Sequence, residues 1–204
     1  MNLPMRRPVH VYLARHGETD WNAQQRWQGH TDVPLNDRGR EQARAIAAAL
    51  RAAGIARIAA SDLARAHETA RIVAGELGLA VTHVDRDLRE RAFGVFEGLT
   101  REECEAQQPE AWRAWLEERR TPAGAETQEM LAARVTAAIA RVARDAALAG
   151  SCALVVTHGG ALRAAVAAAT GTMPPFVANG GLWKLAWDDG VVSAEPVEKG
   201  EPAR

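Results

Sequence analysis

Apolar positions along this chain fall into short runs that alternate with longer amphipathic stretches. Val9-His10-Val11-Tyr12-Leu13-Ala14 has apolar residues on both faces, the pattern of a strand in a sheet covered on both sides. It leads straight into Arg15-His16-Gly17-Glu18-Thr19. Asn36 and Asp37 are good N-cap residues, and a helix is expected from there to about Ala53, stopped by Gly54. Ile55 to Ala60 reads as a weaker strand. Ser61 is then expected to cap a helix through Leu77 that stops at Gly78, and Ala80 to Val84 is a candidate third strand.

Thr100 to Ala149 is patterned as helix, broken at Pro109 and Pro122. Leu131, Val135, Ile139 and Val142 recur at helical spacing and mark a buried stripe, which is core rather than a cofactor box. Cys152 to Thr157 is the clearest strand, followed by a helix from Gly160 to Thr170. Leu182 to Trp187 and Val191 to Ala194 flank Asp188-Asp189-Gly190 as a hairpin, and residues 195–204 read as a loose tail. Strands alternating with helices predict an α/β fold: a three-layer sandwich with a mostly parallel central sheet, helices on both faces, and a small helical subdomain at about residues 100–122. One domain spanning 1–204 is expected, with residues 9–187 as its core. In such sheets, ligands bind outside the carboxyl ends of the strands.

Composition narrows the chemistry. A net charge of -1 excludes a global basic field for nucleic acid or an anionic membrane, so any anion site is local. Lys184 and Lys199 are the only lysines, and nearly all positive charge is arginine. The two cysteines, Cys104 and Cys152, are not in C-x-x-C spacing and point to neither a disulfide framework nor a thiolate metal site. The apolar run after Arg6-Arg7 is too short for a signal h-region or a membrane span. The expectation is a cytoplasmic enzyme, monomer or homodimer, without nucleic-acid or membrane partners.

Two strand ends carry the specific signal. His16 follows the first strand and His158 follows the strand ending at Thr157, and each is followed by glycine, Gly17 in one case and Gly159-Gly160 in the other. Arg15 and His16 share one pocket only if the chain leaves extended geometry there, which Gly17 makes cheap. A glycine after His158 allows close backbone approach. Each histidine taken alone is satisfied by a local hydrogen bond; two at matching junctions, one preceded by arginine, point to a shared site. His10, His30, His67 and His83 have no such pattern and read as surface or packing residues.

Arg15-His16-Gly17-Glu18-Thr19 with Trp21-Asn22 and Gln28-Gly29 resembles the signature of the histidine phosphatase superfamily, the phosphoglycerate mutase-like family. Ser61-Asp62-Leu63-Ala64-Arg65-Ala66 with Thr69-Ala70, Leu88-Arg89-Glu90 with Phe93-Gly94 and Glu97-Gly98, and Val155-Val156-Thr157-His158-Gly159-Gly160 resemble its further blocks, in family order. The resemblance implies His16 as a phosphoryl-accepting nucleophile, Arg15 and Arg65 as a phosphate clamp, His158 as a partner of the phosphoryl group, and Glu90 as general acid. Arginine suits a clamp because its planar fork bonds oxygens bidentately. Arg65, in the first turn of its expected helix, brings backbone N–H groups to the same anion. Asn22, Gln28, Gly29 and Gly159 are further substrate-binding candidates, and Arg101 falls where the family's mutases place a substrate lysine. No metal or cofactor is implied.

The same family implies two outcomes. Cofactor-dependent mutases carry a tyrosine where this chain has Phe93, and a paired arginine after a tryptophan where it has Trp115-Leu116-Glu117-Glu118, with Arg119-Arg120 two residues later. They also carry a long insertion where only Thr121-Pro122-Ala123-Gly124-Ala125 precedes Glu126. The compact spacing favours a phosphomonoester hydrolase acting on a small molecule. Trp112, Trp115, Phe93 and Phe96 fit either a wall of the substrate mouth or a subdomain core. The rivals are a metal site on His16, His158 and Glu90, which two arginines would repel; a non-catalytic phosphate-binding module; and, more weakly, a dinucleotide fold lacking its G-x-G-x-x-G.

Overall fold

The first apolar run forms β1 (Val9–Arg15), and its alternation decides which side chain enters which layer. Val11 and Leu13 point into one core and Ala14 into the other, because successive strand residues face opposite sides of a sheet. The computed structural model describes residues 9–197.

β2 (Ile55–Ala60), β3 (His83–Val84), β4 (Cys152–Thr157), β5 (Leu182–Trp187) and β6 (Val191–Pro196) complete a six-stranded sheet in the order β3-β2-β4-β1-β5-β6. β3 with β2, β2 with β4, and β4 with β1 run parallel, while β5 and β6 are antiparallel additions at one edge. Helices α2 (Asp37–Leu50) and α3 (Ala64–Leu77) cover one face, packing Ile46, Leu50, Ala70 and Val73 against Ile58, Leu154 and Val156. On the other face, α6 (Gln128–Leu148) and α7 (Gly159–Thr170) pack Leu131, Val135, Ile139 and Leu162 against Leu13 and Val155. The predicted stripe on α6 is therefore buried as expected, and each such side chain contributes about 1.5–3 kcal/mol by leaving water. A third cluster of Phe96, Cys104 and Trp112 holds the helical subdomain of α4 (Arg101–Gln107) and α5 (Pro109–Glu117).

Several boundaries differ from the sequence reading, each for a local reason. Ser61 does not cap α3: the N-cap is Leu63, with no side-chain bond, and Ser61 is turned inward to a histidine described below. α2 ends at Leu50, three residues before Ala53. β3 is two residues long rather than five. Pro109 opens α5 at a position where its missing N–H costs nothing, and residues 118–127 are not helical. Residues 195–196 are not tail, because Glu195 pairs with Lys184 and Pro196 with Trp183 in β6; residues 198–204 lie outside the described region. The short helix α1 (Asp20–Ala23), held by a capping box between Thr19 and Asn22, was not expected. Among the described residues no helix is long and apolar enough to cross a membrane.

Register places the site. Arg15 sits opposite Thr157 in the parallel β1–β4 pair, and the His16 N–H bonds the Thr157 carbonyl at 2.9 Å. The residues after both strands, His16 and His158, therefore leave the sheet side by side at its carboxyl edge.

Candidate active site

The two imidazoles meet edge to face, with ring centroids 5.1 Å apart. His16 donates from Nδ1 to the Gly17 carbonyl at 2.6 Å. A carbonyl only accepts, so Nδ1 carries the proton and Nε2 keeps its lone pair. Burial, then the charges of Arg65 and Arg15, hold the His16 imidazole well below its usual value, against the opposing pull of the Gly17 bond. The result is a neutral imidazole with a free nucleophilic nitrogen.

His158 is fully buried, and both its nitrogens are engaged within the protein. Arg65 Nε donates to Nδ1 at 3.2 Å, so Nε2 carries the proton and donates to Ser61 Oγ at 2.9 Å. Burial first, then Arg65, His16, Arg15 and Arg134, lower its basicity as well. His158 thus holds Arg65 and does not line the cavity; a direct bond to a bound phosphoryl group would need its Nε2–H to leave Ser61.

These two histidines make stability pH-dependent with a defined sign. The unfolded chain protonates both imidazoles below about pH 6.5, whereas the folded protein keeps them neutral to lower pH. Their contribution is complete above about pH 6.5 and is lost progressively as pH falls from 7 to 5. Urea unfolding at those two pH values checks this. Equal stabilities would contradict a neutral buried pair.

Arg15 and Arg65 line the cavity together with His16, and among the described residues neither has a carboxylate within ion-pair distance. Arg15 donates from Nη1 to the Val177 carbonyl at 2.7 Å, lies 5.3 Å from the Phe176 ring centroid, and keeps a buried Nε with no hydrogen-bond partner. Arg65, with no exposed surface, spends Nη1 on the Thr31 carbonyl and Nη2 on the Gly29 carbonyl, each at 2.8 Å. Burial lowers its guanidinium to about 10, which leaves it charged at neutral pH. Buried cations without carboxylates are costly unless an anion arrives to compensate them.

Glu90 joins from the loop after β3. Its two carboxylate oxygens accept the Gly160 and Arg91 N–H groups at 2.9 and 2.8 Å. It forms no ion pair with its neighbours: Arg89 is held by Asp62, and Arg91 reaches the Glu126 carbonyl. Arg134 of α6 fixes the segment by donating to the carbonyls of Asp87, Arg89 and Glu90, itself balanced by Glu126.

Arg15, His16, Arg65 and Glu90 line a cavity of about 430 Å³. Asn22, Gln28, Gly29 and Gly159 also line it, as the sequence implied. Three donors, Thr19 N, Thr19 Oγ1 and Asn179 Nδ2, converge on Asn22 Oδ1, so Asn22 offers the cavity its amide N–H groups. Gln28 Oε1 is buried without a partner. Arg101 is not brought to the site; it stands exposed in the first turn of α4, 5.8 Å from the Trp112 ring. Arg119 and Arg120 also lie outside the cavity lining, and Arg120 pairs with Glu118. The aromatic group divides, with Phe93 and Trp115 facing the cavity beside Trp27, while Phe96 and Trp112 are subdomain core.

Gly17 acts differently from expectation, whereas the glycines after His158 allow the close approach that was expected. Gly17 has no left-handed backbone; a Cβ there would lie 2.2 Å from the Gly39 carbonyl of α2, so it is required for close packing. A Cβ on Gly160 would lie 2.3 Å from Glu90 Oε1. At the start of α3 the Ala64 N–H is taken by Asp32, and Gly159 and Gly160 at the start of α7 line the cavity.

Sequence reasoning missed the braces. Asn179 ties the carbonyls of His16 and Gly17 to Asn22, and Thr69 Oγ1 accepts the Gly17 N–H. Glu97 accepts from His30, Thr31 and Phe93, fixing the loop whose carbonyls hold Arg65. Thr69 and Glu97 lay in recognised motifs, and Asn179 lay in none.

A family model described as histidine phosphatase superfamily (branch 1) matches residues 11–195. Phosphoglycerate mutase-like protein 4 of Arabidopsis thaliana is 42% identical over 157 residues, 75% of this chain and 67% of that protein. A mycobacterial glucosyl-3-phosphoglycerate phosphatase, solved with VO3, superposes with a TM-score of 0.77 at 32% identity, covering 92% of this chain and 97% of that one. The α-ribazole phosphatase of Shigella flexneri superposes with a TM-score of 0.81 at 26% identity, covering 96% and 100%.

Proposed function

The chain belongs to the histidine phosphatase superfamily (branch 1), and from that membership we propose that it hydrolyses small phosphomonoesters through a phosphohistidine on His16. The observation that carries this reading is the neutral, Nδ1-protonated His16 held beside two guanidiniums that lack carboxylate partners. Nε2 attacks phosphorus, the P–O ester bond breaks, and Glu90 gives its proton to the leaving alkoxide. Water then attacks the phosphohistidine, Glu90 takes a proton from it, the P–N bond breaks, and inorganic phosphate leaves. Arg15 and Arg65 compensate charge on the equatorial oxygens in both steps. His158 positions Arg65.

Glu90→Gln tests the acid role. The variant keeps the size of the side chain but lacks the carboxylic proton, and its single amide oxygen accepts only one of the Gly160 and Arg91 N–H groups. We expect alkyl phosphates, with poor leaving groups, to slow by about 10²–10⁴-fold, and 4-nitrophenyl phosphate far less. An equal loss across leaving groups contradicts the assignment.

Hydrolase is favoured over mutase by the short segment before Glu126 and by the names of the two structural relatives. The Arabidopsis relative's name keeps isomerisation in view. A panel of phosphomonoesters including 3-phosphoglycerate, with and without 2,3-bisphosphoglycerate, separates them. Release of free phosphate is the expected result; bisphosphate-stimulated isomerisation without release would overturn it.

A further inference from the structure

His30 follows no strand-to-glycine pattern and does not line the cavity, yet its ring is fixed against the Glu90 segment. Its Nε2 lies 2.9 Å from the Glu90 carbonyl oxygen, and since a carbonyl only accepts, Nε2 is the donor. Arg134 donates to the same oxygen at 2.8 Å from the side of α6. Both lone pairs of that carbonyl are therefore used, one by each flanking element.

That carbonyl matters because of the peptide it belongs to. The Glu90 C=O and the Arg91 N–H form one planar unit, so holding one end sets the direction of the other. The Arg91 N–H donates back to Glu90 Oε1 at 2.8 Å, while Oε2 accepts the Gly160 N–H at 2.9 Å. A tilt of this peptide would swing its N–H away from the carboxylate and release one of the two anchors. A carboxyl group with one anchor turns about its own side chain, and proton delivery to a leaving oxygen tolerates little misplacement.

The backbone of His30 belongs to the turn that holds the phosphate clamp. In this turn the Thr31 N–H bonds the Gln28 carbonyl at 2.9 Å, and the carbonyls of Gly29 and Thr31 each hold Arg65 at 2.8 Å. Glu97 accepts the backbone N–H groups of His30 and Thr31, both at 3.1 Å. The turn is thus tied by its backbone to Arg65 and by the His30 side chain to Glu90. We infer that His30 is a positioning residue for the general acid, holding the Glu90–Arg91 peptide in register with the arginine clamp. The inference rests on the proposed role of Glu90 and adds the group that aims it.

Three substitutions separate this role from plain packing. Glutamine carries an N–H at the reach of Nε2, asparagine is too short to deliver one there, and alanine has none. All three keep the backbone N–H that Glu97 holds. His30→Ala and His30→Asn are expected to lower kcat for benzyl phosphate about tenfold more than kcat for 4-nitrophenyl phosphate, whose leaving group needs little acid. His30→Gln should keep the wild-type ratio to within about threefold. Each ratio is taken on one preparation, so a smaller folded fraction does not move it, and His30→Asn answers if His30→Ala folds poorly. Amide exchange followed by NMR reads the same contact without turnover. The Arg91 and Gly160 N–H groups should exchange about tenfold faster in His30→Asn than in the wild type or in His30→Gln. Unchanged exchange, or equal losses on the two esters where Glu90→Gln separates them, would overturn the positioning role. Equal losses in Glu90→Gln itself defeat the acid assignment instead, and the exchange rates still decide whether His30 holds the peptide.

Discussion

Replacing His16 with alanine is expected to abolish hydrolysis of an aryl phosphate, lowering kcat by about 10⁴-fold or more. The size follows from the geometry around Nε2. His16 is 3% exposed, its Nδ1 proton is fixed on Gly17, and the neighbouring guanidiniums keep it neutral. No other side chain lining the cavity offers an uncharged nitrogen lone pair, since His158 spends both nitrogens on Arg65 and Ser61. Water attacking directly would have to do without a covalent carrier. The variant should fold, because among the described residues the imidazole's one hydrogen bond is to the adjacent carbonyl, although a small cavity would lower stability modestly. Circular dichroism and release of 4-nitrophenolate check both halves. Retained wild-type turnover would refute His16 as the nucleophile.

The second large effect is expected at Arg65. Arg65→Ala should remove about 3 kcal/mol of transition-state stabilisation, or roughly 10²-fold in kcat/KM. Arg65 also spans Gly29, Thr31 and His158, so the loss extends to the orientation of its neighbours. Lysine cannot replace it, because one ammonium cannot reach three divergent acceptors and still face an anion. Activity is compared at a temperature where thermal melting shows the variant folded, with added guanidinium as a rescue reagent. Partial rescue of kcat/KM supports a charge role; a defect confined to melting temperature would make Arg65 structural.

What was legible in the sequence was what short-range pattern encodes. The strands that carry His16 and His158 are runs of apolar residues buried on both faces, and such runs mark themselves. The junction of strand and glycine marked the carboxyl edge, and in-register pairing of Arg15 with Thr157 then brought the two histidines together. The family blocks located Arg65 and Glu90, which the cavity unites. Placement failed where a side chain's partner lies far away along the chain. Ser61 looked like a helix cap but faces a histidine 97 residues away, and Asn179 bonds backbone 163 residues earlier. Arg101 was placed by alignment with a lysine, yet the turn of α4 directs it over Trp112. Glu195 and Pro196 read as tail because an exposed edge strand is polar, and only pairing with Trp183 and Lys184 identifies it.

In the proposed reaction the phosphoryl group is transferred twice, first to His16 Nε2 and then to water. The stereochemical course of hydrolysis, followed on a thiophosphate ester made chiral with oxygen isotopes, reports this directly. Two in-line displacements predict net retention of configuration at phosphorus. Net inversion would mean that water attacks the ester in one step, and would contradict a phosphohistidine intermediate.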